Sequence, residues 1–538
     1  MIRKTHAAWL LWMAAAGGCN NESSVSQQVS QVAAAMGGES NLRAMSSQAL
    51  QVQGTRFDLE QSYSPVGQAE TVSDFQATIG QRVSDGAQHG VWGSTARALI
   101  PGVPLSWQET SDAQYGYVDG QDFLFAQGPS TAPAPSSRVT ARRKQQLLST
   151  PGLLVRYALA NPERVSRRVD ETWRGQLYRV LALTGLEESA QPVRLLIDPA
   201  TNLPAKADTI EDDPLHGDVL YEVAYGDWRQ SGTIRAPYQL EHLYAGMRLG
   251  TELRSAVTVS ASPGSDNFTV PDTLRGTYNA DLAAWGRRSS QYLLRTQYLG
   301  LPNYVDVSGL ATETDLGNGF VFYNAGLYNT LVIEMPTYLV VLEAPLYESL
   351  SNVVLGKIRQ RFGTKPIRYV VSTHFHYDHS GGLRTYAAAG ADLFVPAQQR
   401  SFYEGIIQSK HTLNPDALER QPRTVTVTGV ASRQDLTDGA RTVTLYNIQQ
   451  GHADGMLIVH VPDAKLLFVT DLYTPGLLGP NPTGPAPGEF GGFARDLVGA
   501  LATLGLDQNQ VQVIVGGHGG PNGTLAELNV FAAPALRP

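Results

Sequence analysis

The rhythm of apolar and polar positions changes about halfway along the chain. From Ser46 to Asp272 the dominant period is two, the spacing of a half-buried strand. Val219, Tyr221, Val223 and Tyr225 fall on one side of such a strand, with Glu222 on the other. Val193 to Ile197, the turn formers Asp198 to Asn202, and Pro204 to Ala207 read as strand, turn, strand. A further hairpin is expected around Gly226 to Gly232. One helical segment is predicted over 139–160, after the Pro/Ser-rich stretch Gly128 to Ser137, which reads as an exposed loop. Residues 275–300 read as a helical connection. Beyond them, strands and helices alternate. Thr330 to Glu334, Tyr338 to Leu342 and Ile367 to Thr373 are strand-like, and Leu346 to Phe362 is a helix with a basic end. The reading is therefore a mostly antiparallel β domain over 41–274, a helical linker over 275–300, and a layered α/β domain over 301–538.

Length supports this division, since 538 residues exceed what one core serves. An apolar fraction of 42% with 17% charged residues is that of an ordinary globular protein, and 53 Gly with 31 Pro favour strands and loops over a helical bundle. Net charge is −8, and the densest basic cluster, Arg142-Arg143-Lys144, reads as a solvated face. Nucleic acid is not an expected partner. The chain opens with Arg3 and Lys4 and an apolar run from Ala7 to Ala16, too short to cross a bilayer and of signal-peptide length. It ends Ala16-Gly17-Gly18-Cys19, which resembles a bacterial lipobox. That resemblance implies lipidation of Cys19 and a membrane anchor, while a plain signal peptide over 1–19 is the alternative. Either implies export to the periplasm or cell envelope, and Asn20 after the cysteine favours an outer membrane. A single cysteine permits no internal disulfide. The small polar residues of 20–40 read as a flexible tether.

The chemistry is concentrated after the strand Ile367 to Thr373, where the chain reads His374-Phe375-His376-Tyr377-Asp378-His379 and then Ser380-Gly381-Gly382. Imidazoles and a carboxylate at this density suit zinc and similar ions. A tight loop between strand and helix can aim His374 and His376 at one ion and Asp378 and His379 at a second, and the two glycines let the backbone turn into a helix near Leu383. The pattern H-x-H-x-D-H resembles the defining motif of the metallo-β-lactamase superfamily. The resemblance implies an αββα sandwich and three further ligands. They are present in chain order as His452, Asp471 and His518, each just past a strand-like run. It assigns His374, His376 and His452 to one zinc and Asp378, His379 and His518 to the other, with Asp471 bridging two zinc ions per chain. It also implies hydrolysis of a small-molecule ester, lactone, thioester or amide (a β-lactam included) by hydroxide bridging the cations, with Asp378 orienting the water and moving a proton.

Tyr377 and Tyr473 are candidates for substrate hydrogen bonds, with simple packing as the competing reading. His411 lies where it could border the site, and His460 reads as structural. Arg423 to Val430 and Pro475 to Gly492, with Phe490, are expected to edge the pocket. Asp471 resembles the glyoxalase-II-like, lactonase-like and phosphodiesterase-like branches, whereas familiar zinc β-lactamases carry Cys or Ser there. The N-terminal half resembles the lipoprotein-carrier fold, a curved sheet with a helix in its mouth. Two other functions stay open: an envelope lipid-binding lipoprotein, and a mononuclear-iron oxygenase on the same scaffold.

Overall fold

A computed structural model describes residues 24–58, 61–122, 131–260, 268–289, 307–477 and 486–534. The signal segment with Cys19, residues 290–300 of the connection and 478–485 of the Pro/Gly-rich loop lie outside the described residues. Among the described residues no helix is long and apolar enough to cross a membrane.

The first half is one antiparallel sheet of thirteen strands, from Ser47–Asp58 to Met247–Ser260, in the spatial order 6-5-4-3-2-1-13-12-11-10-9-8-7. The first strand closes the topology by pairing with the last, Leu50 facing Val257. The crossover between the sixth and seventh strands holds the predicted helical segment, as two helices, Ser136–Ser149 and Pro151–Ala160. Pro151 occupies the first turn of the second helix, where its missing N–H costs nothing. Alternation proves right for Val219, Tyr221, Val223 and Tyr225, which all enter one core against Leu147, Leu148 and Leu154.

Three expectations fail here, the first being the exposed loop, because the described end of the Pro/Ser-rich stretch is the sixth strand, Thr131–Ala134, followed by buried Ser136 and Ser137. Residues 25–35 are no tether but a helix, Val25–Ala35, started by a capping box between Ser24 and Gln27. Val29, Val32, Ala33 and Met36 recur at helical spacing and are buried in the same core, a stripe hidden within a polar composition. The basic cluster is no solvated face either, because Arg142 and Lys144 are buried. Arg142 Nη2 lies 2.8 Å from Glu109 Oε2 and Lys144 Nζ 2.7 Å from Glu211 Oε1. Carboxylates on facing strands hold the helix down.

Within the predicted helical connection, Ala280–Arg288 is a helix, capped by the Asn279 side chain. The second half is an αββα sandwich. Its seven-stranded sheet runs in chain order from Thr312–Gly317 to Val427–Val430, and its five-stranded sheet from Arg433–Thr437 to Val513–Gly516. Both faces of each sheet are covered, so the central strands are continuous apolar runs. In Leu339–Leu342, Val340 and Leu342 point between the sheets toward Val459 and Phe468. Leu339 and Val341 point outward, beneath the helix Glu348–Phe362. That helix stops at Gly363, whose φ of +61° is open to glycine. The helices Phe490–Leu504 and Leu525–Phe531 cover the outer face of the smaller sheet.

Candidate metal centre

Four strand ends from both sheets meet at one point. Ile367–Val371 delivers His374 to His379, with His376 opening the short helix Tyr377–Ser380. His452 follows Thr442–Ile448, Asp471 follows Leu466–Val469, and His518 follows Val513–Gly516. The turn after the motif needs its glycines. A Cβ on Gly381 would stand 1.9 Å from the Leu346 carbonyl oxygen, and one on Gly382 2.0 Å from Ser351 Oγ.

The structure brings together all seven predicted residues, in two groups that could each hold an ion: His374, His376, His452 and Asp471, and Asp378, His379 and His518. Asp471 spans them. Its Oδ2 is 2.7 Å from His452 Nε2 and 3.2 Å from His374 Nε2, while its Oδ1 is 2.9 Å from His379 Nε2 and 3.0 Å from His518 Nε2. Ligand atoms on a tetrahedral zinc with bonds of about 2.0–2.1 Å stand roughly 3.3 Å apart, so these spacings suit a shared cation. His376 Nδ1 and Asp378 Oδ1 are buried without a hydrogen-bond partner, and the close contacts of His374 Nε2, His452 Nε2 and Asp471 Oδ1 lack hydrogen-bond geometry. Leaving such atoms unpaired is costly, and a metal is the group that satisfies lone pairs aimed at one another. The donor set therefore fits a metal.

Electrostatics agree. Burial, with help from His379, pushes His374 down to about 3, and burial also holds His376 far below its usual range, so both present neutral lone pairs. Burial would likewise discharge His379 and His518. Asp471, aided by Asp378 and in the case of His379 by Glu343, overcomes it and raises them, His518 to about 10. Burial opposes charge on Asp471, but the surrounding imidazoles hold its carboxyl well below the usual range. A cation held by the second pair would take the place of those protons.

Four of the five rings are aimed by an outer partner. His379 Nδ1 lies 2.6 Å from Glu343 Oε2, and Thr373 N donates to Glu343 Oε1 at 2.7 Å. His518 Nδ1 donates to the Leu327 carbonyl oxygen at 2.7 Å, and His374 Nδ1 lies 3.1 Å from Thr373 Oγ1. His376 Nε2 donates to the Ser62 carbonyl oxygen at 3.1 Å, from the other domain. Sequence reasoning missed Glu343. Its signal was an acid directly after the apolar strand Leu339–Leu342, where the chain takes a φ of +69°.

The tyrosine candidates are corrected. Tyr377 is buried in the core of the larger sheet. Tyr473 packs edge-on against Phe531 at 5.2 Å in the outer core of the smaller one, beside Glu527. His460 is structural as expected, its Nε2 donating to the Gln510 carbonyl oxygen at 3.0 Å. His411 sits at the domain boundary, 3.0 Å from Ser409 Oγ, where it lines a separate cavity with Asp212 and Arg384. Arg423 ties to the Ala387 and Ala391 carbonyl oxygens and leads into an edge strand rather than a pocket wall. A cavity of about 480 Å³ opens beside His452, lined by Phe493, Glu489 and Arg495 and, from the first domain, by Tyr63, Glu70 and Leu99. Phe490 packs into the outer core instead.

Residues 342–518 match the family model described as the metallo-beta-lactamase superfamily. No curated protein matches the chain. Similar solved structures include the DIM-1 metallo-beta-lactamase exposed to ceftazidime, 16% identical over 41% of this chain and 94% of that one, with a TM-score of 0.31. A metallo-beta-lactamase from Pontibacter korlensis is 17% identical over 41% and 95% of the two chains, with a TM-score of 0.29. FIM-1 from Pseudomonas aeruginosa, in a mono-zinc form, is 16% identical over 41% and 93%, with a TM-score of 0.29.

Proposed function

We propose, from the premise that the C-terminal domain is a metallo-hydrolase domain of the metallo-β-lactamase superfamily, that this protein is an exported dinuclear zinc hydrolase. Its substrate is a small ester, lactone, thioester or amide. The observation that carries the reading is Asp471, whose two oxygens each face two imidazole nitrogens at 2.7–3.2 Å. That is the arrangement of a carboxylate shared between two ions. His374, His376 and His452 would hold one zinc and Asp378, His379 and His518 the other.

Two zinc ions there would supply Lewis acidity toward a carbonyl oxygen and a lowered pKa for a water. The chain's own residues do the rest. His374 and His376, kept neutral by burial, offer lone pairs without first losing a proton. Asp378 presents Oδ1 without a hydrogen-bond partner, placed to orient the attacking water and take its proton. The apolar edge of Phe493, with its ring centroid 4.9 Å from that of His452, shields one side of the reacting carbonyl from solvent. The basic and apolar run before Cys19 supports export, with a lipid anchor at that cysteine.

The test is metal content and turnover of the purified chain beginning after Cys19. About two zinc ions per chain are expected, with hydrolysis of at least one ester, lactone, thioester or β-lactam probe. Asp378→Ala should slow turnover by roughly 10²- to 10⁴-fold, and His376→Ala should lose zinc. One iron per chain, or no metal and no turnover, overturns the reading.

A further inference from the structure

Residues 61–69, ahead of the strand Glu70–Arg82, lie against the metal centre. Ser62 is buried, and its carbonyl oxygen accepts the Nε2–H of His376 at 3.1 Å. Since His376 Nδ1 is the ring atom without a partner, the proton on Nε2 fixes the tautomer that leaves Nδ1 as a lone pair. The other rings are aimed from within their own domain, His379 by Glu343 and His518 by Leu327. His376 alone among these three is aimed by residues more than three hundred positions away.

The contact is built. One residue on, the Tyr63 carbonyl oxygen accepts the Asp454 N–H at 2.6 Å, two positions past His452. Ser62 Oγ donates to the Ser64 carbonyl oxygen at 3.1 Å and folds the loop back on itself. The neighbouring turn of the same domain is clasped in both directions: Leu99 N donates to Glu489 Oε2 at 3.0 Å, and Glu489 N to the Leu99 carbonyl oxygen at 2.8 Å. Between these anchors lies the cavity of about 480 Å³, with Tyr63 and Glu70 on one wall and His452 and Phe493 on the other.

We propose that the 61–70 loop is a working part of the active site. The Ser62 carbonyl is a positioning group that sets the tautomer and direction of His376. Tyr63 and Glu70 form the wall against which the non-reacting part of the substrate lies. The ligand role of His376 rests on the hydrolase reading above. The domain boundary thus supplies half of the pocket, and the substrate class is an acyl compound whose non-reacting arm fills a cleft between two domains.

The experiment uses the full chain. The α-hydroxy analogue of tyrosine at position 63 turns the Ser62–Tyr63 amide into an ester, which weakens the Ser62 carbonyl as an acceptor and alters no side chain. Zinc affinity, read by chelator competition, should fall about tenfold or more, with the melting temperature of the metal-free protein unchanged. Tyr63→Ala should raise KM for the best substrate about threefold to tenfold with kcat and zinc affinity retained. A wild-type chain holding two zinc ions, with unchanged affinity in the ester form and unchanged KM in Tyr63→Ala, overturns the proposal and leaves the hydrolase reading standing. A wild-type chain that binds no zinc overturns both.

Discussion

The helix Ser136–Ser149 and the metal centre handle buried charge in opposite ways. In the N-terminal domain the helix Ser136–Ser149 carries Arg138, Arg142, Arg143 and Lys144, and each finds a carboxylate, Arg143 that of Glu188. Arg138 meets Glu109 at 2.9 Å and Asp122 at 2.5 Å, Arg142 shares Glu109, and Lys144 takes Glu211. At the metal centre, the partners run short. His374, His376 and His452 each keep a ring nitrogen without a hydrogen bond, and Asp378 and Asp471 each keep an oxygen. Desolvation costs several kcal/mol per ion in either place. The helix offsets that cost with carboxylates of its own sheet, and the metal centre would leave it to a ligand.

The largest break in this contrast comes from opening the closed network. Glu109→Ala strands Arg142, leaves Arg138 with Asp122 alone, and should destabilise the protein by about 3–5 kcal/mol, read by urea unfolding at neutral pH. Burial alone would raise the Glu109 carboxyl, but the two guanidiniums outweigh it and hold it at about 2, against an ordinary 4.5. The depressed carboxyl contributes stability above pH 4.5 that drains away as pH falls toward 2. Glu109→Gln should flatten that part of the acid-unfolding curve. An acid limb identical to wild type would count against the pairing. Next in size, Glu343→Gln takes the carboxylate from behind His379 and should weaken zinc binding about 10- to 100-fold. Chelator competition measures it, and an unchanged constant would remove Glu343 from the centre. Smallest is Tyr473→Phe, which removes a hydroxyl beside Glu527 in the outer core. It should cost about 1 kcal/mol of stability with kcat/KM unchanged, and a fall in turnover would return Tyr473 to the pocket.

What could be read from the sequence was what ten neighbouring residues encode. The strands around Val340 and Phe468 are apolar runs bounded by turns and were legible locally, while the sandwich and the seven-residue cluster were legible through the resemblance that the H-x-H-x-D-H motif carries. The helix Val25–Ala35 was legible in spacing and obscured by composition, because Ser and Gln fill its exposed face. Glu343 gave a faint signal as an acid after an apolar strand. Arg142 carried none for burial, since its fate depends on Glu109 on a strand 33 positions away. Nor did Ser62, whose role comes from His376, 314 positions further on. Contacts at that separation leave no local pattern. The tyrosines misled because adjacency in sequence to a metal residue says nothing about which way a side chain turns; Tyr377 faces the core behind its neighbours.

The boundary between the domains is fastened at more than one place. Besides Ser62 and Leu99, the 217–218 turn is caught by the 410–413 segment: Asp218 N donates to the Lys410 carbonyl oxygen at 2.7 Å, and Leu413 N donates to Asp218 Oδ1 at 3.1 Å. A Cβ on Gly217 would sit 2.2 Å from that same oxygen. A single fastening is a hinge, about which a domain can swing. Each further one removes a direction of rotation, as added screws do between two plates. The gap beside His452 is therefore a slot of set width.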